Sequence, residues 1–353
     1  YDQDRLRDVS AIFMYLATGE TAQKEYFEQN HDQFHALQWN YWYPFEKIYQ
    51  DALLLYSQLP DADAMIKNAI VNSFVNSTTK GNEFYGAVLA ETDAYRAYLK
   101  DNDYVWGSNS VKSSAANMIY ELGTYDAANA QDYHMAALDH LHYFHGRNAL
   151  GIVMLTNMYD FGADKSANEM YHNWFGDGTE YDNALTSPNG PPPGFLTGGV
   201  NKSYQPAPEY SGPTLAPPLS QPVQKAYRDW NTSWPENSWE ITEPAIYYQA
   251  AYIRLLSKFA SGTILPVNEP VIAGINSSIN DQVKIFPNPG TDYIKISFTS
   301  SELKEVLLTN IFGQHVMRKY LKSGDNIPIQ NLPTGVYFLQ MNGQKGMYKF
   351  VKN

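Results

Sequence analysis

Three carboxylates crowd one aromatic stretch of the chain. Asp229, Glu240 and Glu243 lie in Tyr227-Arg228-Asp229-Trp230-Asn231-Thr232-Ser233-Trp234-Pro235-Glu236-Asn237-Ser238-Trp239-Glu240-Ile241-Thr242-Glu243-Pro244-Ala245. Apolar walls favour the neutral, proton-carrying form of a carboxyl, and cleavage of a glycosidic bond needs a protonated carboxyl beside the scissile oxygen. Glu243 also has an ordinary reading. Pro244 fits the first position of a helix, which puts Glu243 at the cap, where a carboxylate meets free backbone N–H groups. A helix start favours the anion, so a general acid there needs burial or neighbouring carboxylates, with Asp229 and Glu240 the candidates, to counter it.

Other polar side chains invite other chemistry. His134, His140, His142 and His145 share one helical stretch, but positions 140 and 142 project to nearly opposite sides and no His-Glu-x-x-His spacing occurs, so polar packing explains them better than a metal. His172 lies beside Trp174 in an aromatic loop, where an imidazole either donates to a sugar hydroxyl or is satisfied by the loop itself. Asp177, Glu180 and Asp182 flank a glycine in a turn that could take a structural calcium; they follow no EF-hand pattern, and a solvated turn is the plainer reading. No cofactor is required. Trp106, before a helix that Asn109 or Ser110 can cap, reads as core or as a platform for a sugar ring.

The elements that must position these groups follow from periodicity. Leu6, Val9, Ile12, Phe13 and Leu16 recur at three- and four-residue steps, predicting a helix that ends near Gly19. Similar patterns predict helices over about 44–58 (Phe45, Ile48, Ala52, Leu55), 62–77 (Ala64, Ile66, Ile70, Phe74), 110–122, 126–145 and 243–258, the last with Ile246, Ala250, Ile253 and Leu256 as its apolar stripe. Many amphipathic helices on short turns imply stacked antiparallel pairs. Between about 158 and 239 the period vanishes among Gly, Pro, Asn and four of the seven Trp, and so long an irregular stretch is more often functional than idle. Residues 259–281 read as a linker. After it the period becomes two, near 293–298, 304–309, 314–320, 335–341 and 346–351, predicting a small β-sandwich over 282–353.

Composition narrows the partners. The net charge of −12 disfavours nucleic acid, which needs a basic footprint. Residues 281–353 hold nine Lys/Arg against five Asp/Glu, +4, which leaves −16 for residues 1–280. The 28 Tyr suit a concave site that grips something both apolar and hydroxylated, and a neutral polymer remains a reasonable partner. With no Cys there is no disulfide framework to reveal the compartment, and no apolar run approaches the roughly 18 residues of a membrane span.

Taken in order, Trp106-Gly107-Ser108-Asn109, Gly146-Arg147-Asn148-Ala149-Leu150-Gly151, Tyr171-His172-Asn173-Trp174, Pro193-Gly194-Phe195-Leu196-Thr197-Gly198-Gly199 with Asn201, and Glu243-Pro244-Ala245-Ile246-Tyr247-Tyr248-Gln249-Ala250 resemble glycoside hydrolase family nine, inverting β-1,4-glucanases with an (α/α)6 barrel. The resemblance covers about 1–258. It implies that Glu243 is the general acid, that Asp229 is the acidic residue before it, and that His172 contacts substrate; with Trp174, Trp106, Arg147, Tyr248 and Glu240 it gives the expected substrate site. The family's histidine is usually followed two positions on by Arg, here Trp174, and Asn is common where Gln249 stands. Its water-activating Asp-Ala-Gly-Asp type motif is missing, since Asp61-Ala62-Asp63 lies on a helix, and only seven or eight of twelve barrel helices are counted. The expectation is therefore the later part of a barrel, with early helices and the base lying upstream.

Phe286-Pro287-Asn288-Pro289-Gly290, Gly335-Val336-Tyr337-Phe338-Leu339 and Lys349-Phe350-Val351-Lys352 resemble the C-terminal sorting domain of the type IX secretion system of Bacteroidetes. Together the two resemblances imply a mainly α fold, a partial (α/α)6 barrel plus a C-terminal antiparallel β-sandwich, in a secreted or cell-surface endo-β-1,4-glucanase whose partners are a β-glucan and the secretion machinery. A non-catalytic glycan-binding surface protein, or a xyloglucanase or exo-glucosaminidase on the same barrel, fits the same motifs.

Overall fold

The structure, a computed structural model, describes residues 2–172, 175–260, 283–298, 302–310, 315–341 and 347–353. The chain forms two compact units, Tyr1–Val271 and Ile272–Asn353. All but the first two positions of the 259–281 linker reading lie outside the described residues.

The first unit is helical. Helix α1 (Gln3–Thr18) is capped by Asp2, which accepts from Arg5 N, and stops at Gly19, whose φ of 75° is the left-handed conformation that ends a helix without a Cβ penalty. There follow α2 (Thr21–Asn30), α3 (His35–Gln38), α4 (Lys47–Ser57), α5 (Ala64–Thr79), α6 (Phe84–Leu89), α7 (Ser108–Glu121) and α8 (Ala130–Phe144). A short parallel pair, β1 (Val153–Thr156) with β2 (Ser166–Ala167), opens the irregular region, which ends in α9 (Trp239–Thr242) and α10 (Ile246–Ser257). Consecutive long helices pack in pairs, α1 on α2, α4 on α5 and α7 on α8, and α7 also carries α10. Seven described helices have ten residues or more, the number the periodicity suggested.

Two faces differ from expectation. In α1, Val9 and Ile12 are buried, but so is Asp8, while Leu6 and Phe13 lie at the exposed margin. In α10 the predicted stripe points outward, with Ile246 87% and Ile253 58% exposed, and Tyr248, Tyr252 and Leu255 are buried instead. Both faces of α10 are apolar, so period alone could not choose between them. Tyrosine chemistry decides: the Tyr252 hydroxyl meets His145 Nε2 at 2.8 Å, and the Tyr248 ring lies against Gly107.

Helix α7 is the centre of the unit, with Val111 to Ile119 all buried. Its C-terminal Glu121 joins a charge network across three helices: Lys47 Nζ–Glu121 at 2.9 Å, Arg254 Nη2–Glu121 at 2.5 Å and Arg254 Nη1–Asp51 at 2.7 Å. Burial opposes ionisation of Glu121, yet Lys47, Arg254 and Lys258 together hold its carboxyl down to about 2. Breaking one partner would leave a buried charge uncompensated.

In the second unit the sheets are β3 (Lys284–Phe286), β4 (Tyr293–Ser297) and β7 (Asn326–Pro328), and β6 (His315–Leu321), β5 (Lys304–Asn310), β8 (Gly335–Met341) and β9 (Met347–Lys352), each in the order β3-β4-β7 and β6-β5-β8-β9. All their pairings are antiparallel, and Ile294, Ile296 and Ile327 from one sheet pack with Val306, Leu308, Leu339 and Phe350 from the other. The Pro-Asn-Pro-Gly turn fastens the last strand. Asn288 Oδ1 accepts from Val351 N at 2.9 Å, its Nδ2 donates to Lys349 O at 3.1 Å, and Gly290 N donates to Val351 O at 2.8 Å.

One buried charge in α7 makes a testable demand. Lys112, 1% exposed, donates to Ala97 O and lies 5.3 and 4.1 Å from the ring centroids of Tyr104 and Tyr143. Burial pulls its ammonium from 10.5 down to about 7, against the opposing pull of Asp93. The unfolded chain therefore binds the extra proton between those values, and the folded state gains stability as pH rises from 7 toward 10.5, by at most about 1.4 kcal/mol per pH unit. Thermal unfolding of Lys112→Met should favour the variant most below pH 7, and its advantage should shrink steadily above it; a pH-independent difference would exclude the amine as the cause.

Candidate active site

Glu243 occupies the joint between α9 and α10. It is not the cap of the last helix: Ala245 precedes Ile246, and its carbonyl takes Tyr248 N and Gln249 N. Pro244 disfavours helical backbone in the residue before it, so Glu243 is extended (φ −60°, ψ 127°) and terminates α9 through Glu243 N to Trp239 O. Its half-buried carboxyl leaves the chain sideways, and Oε2 accepts from Trp106 Nε1 at 2.9 Å. These two residues, 137 positions apart, form the first contact of the site.

A buried strand-like segment, 195–201, sets that contact from both sides. Asn109 Nδ2 and N donate to Thr197 O and Gly198 O, each at 3.0 Å, and Ser108 Oγ donates to Val200 O at 2.6 Å, pinning the start of α7 and with it Trp106. Gly199 N donates to Ile241 O at 2.8 Å. Gln249 closes the other side: its Oε1 accepts from Leu196 N at 2.8 Å and its Nε2 donates to Leu196 O at 2.7 Å, so one side-chain amide imitates a neighbouring strand. Glycine is needed where the backbones touch. A Cβ on Gly198 would lie 2.9 Å from Ile241 O and 3.4 Å from Glu243 O. On Gly107 (φ +80°) a Cβ would meet the Tyr248 ring at 2.5 to 2.7 Å. This left-handed turn directs Trp106 toward Glu243.

The other expected residues go to separate partners. His172 belongs to a stretch tied to the joint by Tyr171 N to Thr242 O at 3.3 Å, and its ring faces that of Phe175 at 6.4 Å. Trp174 lies outside the described residues. Tyr248 is buried under Gly107, and burial raises its hydroxyl, with Tyr247 and Glu243 adding to the rise. Glu240 Oε2 accepts from Asn201 Nδ2 at 3.2 Å, and burial raises its carboxyl. Asp229 turns inward: Oδ2 accepts from Asn168 N at 2.7 Å and Oδ1 from Glu169 N at 3.3 Å, while burial, opposed by these bonds, raises it. Arg147 is bound at 2.6 Å to Asp139, which also holds Arg96. Of the helical histidines, His140 places Nδ1 on Ala136 O, His134 stacks on Tyr120, and His142 is exposed.

Acidic chemistry that the sequence reading passed over appears at Glu169. Its carboxyl is pushed up to about 7, first by burial and then by Asp229, Asp182 and Asp177, against a bond from Asn183. One oxygen each from Glu169, Asp177 and Asp182 lie within 4.8 Å of one another. Three hard oxygen ligands at that spacing fit the donor chemistry of calcium. Glu180 is elsewhere, accepting from Asn189 Nδ2 at 3.3 Å. The sequence signal was present in the spacing of Asp177 and Asp182, but Glu169 enters only because the turn folds back on the strand before it.

A cavity of about 400 Å³ adjoins Trp106, lined also by Phe45, Tyr247, Tyr248, Ser114 and Asn117, with Lys47 and Arg254 among its cations. Trp106, Phe45 and Tyr247 each leave about half or more of their surface exposed.

Comparisons with known proteins identify the families of both units. A family model, Glycosyl hydrolase family 9, matches residues 3–256, and another, Secretion system C-terminal sorting domain, matches residues 284–353. Endoglucanase C of Cellulomonas fimi is 26% identical over 145 residues, 41% of this chain and 11% of that protein. The structure of AaCel9A in complex with cellobiose-like isofagomine is 21% identical with a TM-score of 0.51, over 71% of this chain and 43% of that one, and it shows the shared fold. The crystal structure of a Zn-binding triple mutant of GH family 9 endoglucanase J30 is 25% identical with a TM-score of 0.44, over 61% and 35% of the two chains. The chain thus spans less than half the length of each of these relatives.

The glycine contacts yield a direct test. Gly198→Ala should lower the unfolding free energy by about 1–3 kcal/mol, because backbone rather than a flexible side chain meets the new methyl. Gly176→Ala, with nothing within 4 Å, should be near neutral. Equal stability of both variants in chemical denaturation would show that the joint at Ile241–Glu243 is not tightly fitted.

Proposed function

We propose, from the premise that the chain belongs to glycosyl hydrolase family 9, that it contributes the acid side of an inverting endo-β-1,4-glucanase. Its C-terminal unit is a sorting domain of the type IX secretion system, and the protein is exported. No described helix is long and apolar enough to cross a membrane. The observation that carries the proposal is the hydrogen bond that fixes the carboxyl of Glu243 on the indole of Trp106, a ring that lines an aromatic-walled cavity.

In this reading Glu243 protonates the oxygen of the departing sugar while a carboxylate on the opposite face activates water, the two groups standing roughly 6.5–9.5 Å apart in an inverting enzyme. No described residue is assigned the second part. The exposed rings of Trp106, Phe45 and Tyr247 suit the apolar faces of glucose units, and the His172 imidazole would offer a hydrogen-bonding group to a sugar hydroxyl. Glu169, Asp177 and Asp182 would hold a calcium whose charge offsets their mutual repulsion and fixes the loop after His172.

In the complete protein, Glu243→Gln should lower turnover of a soluble β-1,4-glucan by about 10²–10⁴-fold with glucan binding retained, as measured by reducing-sugar release and affinity electrophoresis. Near-wild-type turnover would remove the assignment, and glucan binding without turnover in the wild type would favour a carbohydrate-binding role.

Calcium should raise the melting temperature of the chelator-treated protein, and Asp182→Ala should remove the response. An identical melting curve with and without calcium would mean that the cluster is a solvated turn.

A further inference from the structure

Trp106 reads as a sugar platform, but its N–H is already committed to the protein. Indole nitrogen is a donor only, so Glu243 Oε2 must accept whether the carboxyl is ionised or neutral. A neutral carboxyl has one carbonyl-type oxygen and one hydroxyl oxygen, and the first is the better acceptor. Donation to Oε2 therefore favours the form whose proton sits on Oε1. The donor is held in place before any sugar arrives: Gly107 turns the ring toward Glu243, Tyr248 backs Gly107, and Ser108 and Asn109 are bonded to the segment that also supports the Glu243 joint.

We infer that Trp106 is a positioning residue for proton transfer, selecting Oε1 of Glu243 as the oxygen that carries the transferable proton and stabilising the carboxylate left behind. The inference rests on Glu243 being the acid. In the step, the O–H bond at Oε1 breaks as an O–H bond forms on the leaving sugar oxygen, which keeps the electron pair of the broken C–O bond. Water supplies the incoming hydroxyl, and a carboxylate base takes the remaining proton. Glu243 ends as an anion whose Oε2 already has its charge-assisted donor, an arrangement that needs no reorganisation as charge develops. The ring face remains free for a sugar, while the ring edge serves the acid.

Trp106→Phe keeps a flat ring and deletes the donor. On a β-1,4-glucan, whose leaving alkoxide must be protonated, kcat should fall about 10–100-fold, the loss of a hydrogen bond to a charged group, with KM little changed. On 2,4-dinitrophenyl β-cellobioside, whose phenolate departs without a proton, the loss in kcat should be at least about tenfold smaller than on the glucan. An equal loss on both substrates, or a change in KM alone, would overturn the inference and leave Trp106 a platform or a packing residue. If Glu243→Gln itself shows no such dependence on the leaving group, the acid assignment fails instead. A readout without turnover is the ¹⁵N–¹H indole resonance of Trp106, which should move on Glu243→Ala in the folded protein; an unmoved resonance would refute the hydrogen bond.

Discussion

The buried backbone of residues 195–201 is the constraint on which the site depends. Leu196, Thr197, Val200 and Asn201 are almost wholly removed from water, so their peptide groups need partners inside the protein, each unsatisfied one costing about 1–3 kcal/mol. Among the described residues of this unit the sheet has only two short strands. The partners come from five places instead: Thr156 and Met154 of β1, Ser108 and Asn109 at the start of α7, Ala226, whose carbonyl accepts from Asn201 N, Ile241 before the joint, and the amide of Gln249 on α10. Satisfying this one segment brings those elements together, and the contact between Trp106 and Glu243 is a consequence of the same accounting.

The helices behind the segment give it something rigid to bind. Helix α7 is buried along nearly its whole length, and the network of Lys47, Asp51, Glu121 and Arg254 links its far end to α4 and α10. Half-buried charges of this kind add little net stability compared with apolar packing, but they are strict about geometry, because a small slide of one helix would leave a carboxylate or a guanidinium without its partner. The near end of α7 carries the indole and α10 follows the acid, so fixing the two helices at one end limits how far the two side chains can drift apart at the other.

Much of the fold was legible because its signals are local. Helix α1 announced its end at Gly19, and the alternation of Tyr293 to Phe298 marked a half-buried strand correctly. The mainly α architecture with a small β-unit followed from these periods, and the family from its spaced motifs. What failed was a choice that local pattern does not contain. The stripe Ile246, Ala250, Ile253 and Leu256 is as apolar as the face that is buried, and only the close approach of Gly107 to Tyr248 and the His145–Tyr252 bond select between them. The cap at Glu243 misled for a related reason: Pro244 was read as opening a helix, whereas it holds its predecessor extended between two helices. Glu169 stayed hidden because its neighbours in space, Asp177, Asp182 and Asp229, are not its neighbours in sequence.

The aromatic stretch 227–243 looked like a set of carboxylates gathered for one task, yet its side chains go to different places. Asp229 bonds to the backbone of Asn168 and Glu169, Glu240 to Asn201, and Glu243 to Trp106. The stretch is better described as a strap. It holds the strand before His172 at one point through Asp229 and at another through Thr242, which accepts from Tyr171 N, so the histidine is anchored by the same piece of chain that presents the acid. Burial raises the Asp229 carboxyl, a cost that falls on the folded state at any pH where the group is ionised, and the donors from Asn168 and Glu169 offset part of it. A buried acid retained at such a cost, with its oxygens turned to backbone N–H groups, is doing the work of a strand partner in a region that has almost no strands.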